Sequence, residues 1–289
     1  MFSALSPRAQ GYLFALGGPL CWSVGGAVMR LVEADSWDIV FWRALPHLLI
    51  FPVVLHFLAG PRAWLAFRDA KAIAWLSSLC LASTFVLHVV AMTSTTIANA
   101  LLLQSTSPIM VALLAWLVLR ERVPAASWIA LAGACAGMAV VIGTSFGEGA
   151  WIGNAAALAV ALASAVNVIA IRGNTKLDLR AGTIVASAVS LVPALVFGAP
   201  LAAGFDAALA LSILGIVQIT VGLVFFYSAL KRLPAVQVVL IAMIEPVIGT
   251  FWTWIAVGET PGPGTFLGGA ILMASLAYNA IATARASAP

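Results

Sequence analysis

Ten apolar runs, each about twenty residues long, follow one another along this sequence with only short polar connections between them. A run of roughly 18 or more apolar residues is long enough, at about 1.5 Å per residue, to cross the hydrocarbon of a bilayer as a helix. The runs are 11–31, 38–59, 72–92, 96–119, 125–143, 151–171, 180–198, 207–230, 235–257 and 263–284. None shows the strict alternation of a membrane β-barrel strand. The rest of the composition agrees. Charged residues make up 8% of the 289 and hydrophobic residues 63%, with a mean hydropathy of +1.10. Soluble chains are about 25% charged, and a globule with so little charge could not cover its surface in water. A soluble enzyme, a nucleic-acid-binding module and a disordered chain are thereby excluded. The expectation is an all-α integral membrane protein of ten transmembrane helices, with the lipid bilayer as its main partner.

The few charges report orientation. With the N-terminus inside, the inside segments hold Arg8; Arg62, Arg68 and Lys71; Arg120 and Arg122; Arg172, Lys176 and Arg180; Lys231 and Arg232; and Arg285. That is twelve of the fourteen basic residues, against Arg30 outside and Arg43 within the second run. Glu33, Asp35, Asp38, Glu148, Asp206 and Glu259 fall outside. Basic loops stay cytoplasmic, so both termini are expected in the cytoplasm. The net charge of +4 is thus a topology signal and predicts no nucleic-acid partner. Residues 1–10 are too short for a signal peptide and read as a cytoplasmic tail, as do 285–289. Cys21, Cys80 and Cys135 stand alone in apolar runs and read as small buried residues.

The sequence also matches itself. Ser107-Pro108-Ile109 precedes Arg120-Glu121, and Glu245-Pro246-Val247 precedes Gly258-Glu259; both the Pro and the Glu keep an offset of 138. Gly11 matches Gly153 and Arg30 matches Arg172 at an offset of 142. The halves are therefore 11–143 and 151–284, joined by an outside linker 144–150. Each holds five helices, an odd number, so the second is expected to lie inverted relative to the first. Glu121 falls in an inside loop and Glu259 in an outside one, as inversion requires. Inverted repeats that rock about a central site are a common plan of secondary transporters.

The stretches Ala98–Gly133 and Val236–Gly269, with their Ser107-Pro108, Arg120-Glu121, Glu245-Pro246 and Gly258-Glu259 pairs, together with Phe41-Trp42-Arg43, resemble the drug/metabolite transporter superfamily in its ten-helix EamA branch. Within it the chain is most similar to YddG-type amino-acid exporters, by its ten-helix plan, by His88 and by an aromatic-rich core. The resemblance implies a bacterial cytoplasmic (inner) membrane location and a cavity lined by helices 1, 3, 4, 6, 8 and 9, with helices 5 and 10 peripheral. Arg43 has no counterpart in the second half, where that position reads near Ile184.

Polar residues that lipid would penalise supply the site candidates. Glu245 is the one acid in the interior of a run; it is a candidate proton carrier, or a carboxyl bonding the backbone beside Pro246. Pro108 and Pro246 fall within apolar runs, where each removes a helical bond, so each is a kink or a hinge. Ser77, Thr84 and His88 share one face of the third helix. Asn99, Gln104, Thr106 and Ser107 decorate the fourth. Ser164 and Asn167 in the sixth helix correspond through the repeat to Trp22 and Gly25. The eighth carries Gln218, Phe225 and Tyr227. The expected substrate-binding set is Trp22, Thr84, His88, Asn99, Gln104, Ser107, Ser164, Asn167, Gln218, Phe225, Tyr227 and Glu245, each also readable alone as interhelical glue. Arg43 is the one fixed positive charge in the runs, and lies near an end, so the substrate is expected to be uncharged or zwitterionic. His47, His56 and His88 share no face and form no metal site; no catalytic residue or cofactor is expected, and an intramembrane enzyme ranks last. Gly133, Gly137, Gly264 and Gly268 read as close-packing positions. The expected activity is export of small neutral or aromatic amino acids by alternating access, by a monomer; the alternative is a multidrug or hydrophobic-cation exporter with Glu245 as counter-charge.

Overall fold

The computed structural model describes residues 6–32, 34–60, 71–94, 100, 103–104, 106–143, 151–174, 179–198, 200, 203–258 and 263–285. Every regular element among them is helical. In chain order these are α1 (Pro7–Ser23), α2 (Gly25–Leu31), α3 (Ser36–Ala59), α4 (Lys71–Ser94), α5 (Ser107–Leu117), α6 (Ala125–Gly143), α7 (Trp151–Gly173), α8 (Ala181–Phe197), α9 (Phe205–Gly215), a π-helical segment Ile216–Gly222, α10 (Leu223–Leu230), α11 (Ala235–Ala242), α12 (Glu245–Val257) and α13 (Pro263–Arg285). Among the described residues six helical stretches are long and apolar enough to cross a membrane: Pro7–Met29, Ser36–Ala59, Ala72–Ser94, Trp151–Gly173, Phe205–Leu230 and Ala235–Ala256. Ser107–Leu117, Ala125–Gly137, Ala181–Phe197 and Phe266–Asn279 are shorter apolar helices. Asn99 and the loop residues Glu33, Arg62, Arg68, Glu148, Lys176 and Glu259 lie outside the described residues, as does the linker 144–150.

Helix ends follow local chemistry. Ser6 Oγ accepts from Ala9 N at 3.2 Å, with Pro7 as the first helical residue. Asp35 Oδ2 accepts from Trp37 N at 3.0 Å at the start of α3. Gly258 closes α12 in the left-handed region at φ 74°, where a side chain would be strained. The outer surface is apolar: Phe57 is 83% exposed and Phe205 79%. Lipid, not water, suits such a surface.

The contacts between the two halves are invariant when the halves are exchanged. α4 packs on α7 in the way α1 packs on α10; α5 meets α7 as α12 meets α1; α8 meets α4 as α9 meets α3. The pairs α6–α13 and α3–α8 map onto themselves. The α6–α13 seam is the tightest. A Cβ on Gly137 would stand 2.6 Å from Gly268 O, so only hydrogen fits there. Ser127 Oγ donates to Asn279 Oδ1 at 2.9 Å across the same seam, satisfying two groups that lipid cannot.

Three helical runs depart from the sequence reading. Both prolines were expected within continuous helices. Instead α5 begins at Ser107 and α12 at Glu245, with Pro108 and Pro246 in their first turns, where a missing N–H costs nothing. Before each start the backbone tightens into three-residue bonds: Thr106 N to Leu103 O at 3.2 Å, and Met243 N to Leu240 O and Ile244 N to Ile241 O, both at 3.1 Å. The prolines therefore mark interruptions, not bends. The third departure is the π segment, which adds one residue to a turn in the run 205–230.

Candidate functional site

The helix breaks, the π segment and the α1–α10 and α4–α7 seams converge on one cavity of about 280 Å³. Its walls come from both halves. Trp22 stands at the end of α1 and Arg43 two turns into α3; Leu81, Thr84, Phe85 and His88 form a stripe on α4; Gln104, Ser107 and Pro108 flank the first break. Val160, Ala161, Ser164, Asn167 and Val168 line it from α7, Gln218 and Ile219 from the π segment, and Leu223 and Phe226 from α10; Val239, Ala242, Met243 and Glu245 flank the second break. The size lies at the lower end of small-molecule sites.

The repeat offset of 138 carries one wall onto the other. Leu81 maps to Ile219, Phe85 to Leu223, His88 to Phe226, Gln104 to Ala242 and Ser107 to Glu245, and all ten residues line the cavity. At three of these pairs a polar residue of the first half faces a different chemistry in the second. At these pairs the first-half wall is the more polar and the second-half wall carries one carboxylate, while Ser164, Asn167 and Gln218 add further polar groups from the second half.

Arg43 is 8% exposed, and its Nη2 donates to Gln218 Oε1 at 2.8 Å. Gln218 is held in turn by Trp22: its Nε2 donates to Trp22 O at 2.7 Å, and Trp22 Nε1 donates back to Gln218 O at 2.9 Å. Two glycines admit this lock. A Cβ on Gly25 would collide with the Gln218 amide, and one on Gly222 would stand 2.5 Å from the indole nitrogen. Across the cavity His88 Nδ1 lies 2.9 Å from Gln104 Oε1, within hydrogen-bonding distance. Ser77 Oγ donates to Asn167 Oδ1 at 2.6 Å, tying α4 to α7. The Arg43 charge acts on both His88 and Glu245. In the cavity wall two buried donors have no hydrogen-bond partner among the described residues: Arg43 Nε and Gln104 Nε2.

Of the residues proposed from sequence, the structure brings Trp22, Thr84, His88, Gln104, Ser107, Ser164, Asn167, Gln218 and Glu245 together in this cavity, with Pro108. Thr84 Oγ1 donates to Leu81 O at 2.7 Å, within its own helix. Asn99 lies outside the described residues. Phe225 and Tyr227 do not line the cavity. Phe225 packs on Gly17 and on the Phe14 ring, at 6.1 Å between centroids. Tyr227 is buried in the core and borders a second, smaller pocket with Arg180, Ser228, Lys231 and Arg232. The π segment accounts for the Phe225 displacement. In a regular helix Phe225 would share the face of Gln218, seven residues back; one added residue passes that face to Phe226. Carrying His88 through the offset of 138 would have found Phe226. Arg43 is the other residue the sequence reading left out of the site. Seven residues into α3 puts it about 10 Å from the helix start. His47, on the same face, is fully buried and saturated, with Nδ1 2.8 Å from Thr220 Oγ1 and Nε2 2.9 Å from Thr183 Oγ1.

A model of the EamA-like transporter family matches residues 9–143 and, separately, 149–281. No curated protein matches the chain. A solved structure described as "Crystal structure of protein" shares the fold at a TM-score of 0.82, over 97% of this chain and 100% of its own, with 18% identity.

Proposed function

Because the chain belongs to the EamA-like transporter family of membrane proteins, we propose that it is a secondary transporter that exports small neutral or aromatic amino acids by alternating access, close in type to the YddG exporters. The observation that carries this reading is the cavity, built at the junction of two matching halves from their two interrupted helices. Interrupted helices at a repeat interface expose backbone groups only where a solute or protein meets them. The polar first-half wall suits an amino-acid head group. Trp22, Phe85 and Phe226 supply aromatic surface for an apolar side chain.

In this reading the chain crosses the bacterial inner membrane ten times, as two inverted five-helix repeats, with both termini in the cytoplasm, and acts as a monomer. Moving the cavity between the two sides requires the α1–α10 and α4–α7 seams to open in turn. The Trp22–Gln218 bonds and the Ser77–Asn167 bond, at repeat-related seams, are the contacts exchanged. Arg43 in the wall weighs against a site for hydrophobic cations, which would find a fixed positive charge beside Glu245.

Purified protein in liposomes is expected to give saturable flux of labelled neutral amino acids, with phenylalanine and leucine ahead of lysine and glutamate. Absence of flux for the whole neutral series would refute the amino-acid assignment.

A further inference from the structure

The two unpartnered donors and the Glu245 carboxylate define more than an amino-acid-sized space. Arg43 Nε is buried, carries a fixed positive charge and has no acceptor. Its Nη2 is already engaged by Gln218, which fixes the guanidinium plane. Gln104 Nε2 is a second donor without an acceptor, held in place because its own Oε1 is engaged by His88. α5 begins at Ser107 with no acidic residue in its first turn, so the positive end of that helix is not neutralised from within. All three lie on the polar wall. A buried donor without a partner is costly, and three sources of positive potential converging on one cavity are satisfied together by an anion.

The second-half counterpart is the reverse. The repeat carries Ser107 onto Glu245, so α12 begins with a carboxylate where α5 begins with a hydroxyl. No hydrogen bond to Glu245 is found among the described residues, and no ion pair joins it to Arg43 at bonding distance, although the two charges act on one another. The cavity therefore holds a separated positive and negative pole.

We propose that these poles form a dipolar subsite: Arg43 Nε and Gln104 Nε2, at the α5 N-terminus, take the carboxylate of the solute, and Glu245 takes its ammonium. This rests on the amino-acid reading above and deepens it. Selection then depends on a fixed charge at each end, not on neutral amides alone, and a solute carrying only one of the two charges leaves a pole unmatched. Either truncation removes a charge-assisted bond and leaves its protein partner buried, which corresponds to at least about tenfold in affinity.

The test is equilibrium binding to detergent-purified wild-type protein, read by tryptophan fluorescence, with three probes of one shape: phenylalanine, phenethylamine and 3-phenylpropionate. Phenylalanine is expected to bind at least about tenfold more tightly than either truncated probe. Arg43→Lys keeps the charge but removes Nε, together with the Nη2 bond to Gln218; it is expected to weaken phenylalanine and leave phenethylamine unchanged, with Glu245→Gln weakening both phenylalanine and phenethylamine. Equal binding of the three probes, or binding of none, would overturn the subsite. The outcome is separable from the transport reading: liposome flux of neutral solutes without preference for the dipolar probe keeps the transporter and removes this site.

Discussion

The two walls of the cavity are repeats of one another, yet they differ in chemistry. Where the first half places His88, Gln104 and Ser107, the second places Phe226, Ala242 and Glu245. The backbone plan is kept, including the helix break beside each proline, while the side chains have diverged. On the proposed alternating-access reading, the shared backbone plan serves the movement and the diverged side chains serve recognition. On the same reading, a cavity whose two walls differ reads a head group and a side chain at once.

Removing the charge that breaks the symmetry is the most severe disturbance. Glu245→Ala removes the one carboxylate of the cavity and with it the negative pole opposite Arg43. Transport in liposomes is expected to fall by more than about a hundredfold. Second in size is Gln218→Ala, which strips the acceptor from Arg43 Nη2 and the donor from Trp22 O. A loss of about 2 kcal/mol in thermal or denaturant unfolding in detergent is expected. Asn167→Ala on the equivalent α4–α7 seam removes one hydrogen bond and is expected to cost about half as much.

Adjacent aromatics on α10 sharpen the comparison further. Phe226→Ala is expected to weaken aromatic amino acids about tenfold while leaving alanine transport little changed. Phe225→Ala, one residue earlier, is expected to leave the apparent affinity for both unaltered, because its ring packs on α1. Equal effects of the two would mean that the π segment does not set the face. The smallest effect is expected outside the cavity. Arg172 Nε donates to Glu121 Oε1 at 2.6 Å with both side chains about a quarter exposed. Glu121→Gln is expected to cost less than about 1 kcal/mol in unfolding and to leave substrate affinity unchanged.

Much of this arrangement was readable from residue order. The apolar runs gave the helices, because hydropathy over twenty residues is a strong signal. The offset of 138 paired Pro108 with Pro246 and Ser107 with Glu245. Gly137 could be read as a packing position because its spacing from Gly133 matched that of Gly264 and Gly268. What escaped depended on local backbone geometry. The π segment has no composition of its own, so Phe225 was favoured over Phe226. The interruptions at Thr106 and Ile244 were hidden because a proline in an apolar run signals a kink as readily as a new first turn. Arg43 was set aside by its nearness to a span end; its burial arises from α9, whose Gly215 lets the Arg43 backbone approach closely.

The most direct measurement of the central claim is substrate protection inside the cavity. With Cys21, Cys80 and Cys135 replaced by alanine, a single cysteine is placed by Ser164→Cys on α7, in the cavity wall. The rate of its modification by a small, membrane-impermeant thiol reagent is followed in proteoliposomes with increasing phenylalanine. Slowing that saturates at the half-saturating concentration of phenylalanine flux is the predicted result. Phenylalanine flux with an unaltered modification rate would contradict the account, because the solute would then cross without occupying this cavity.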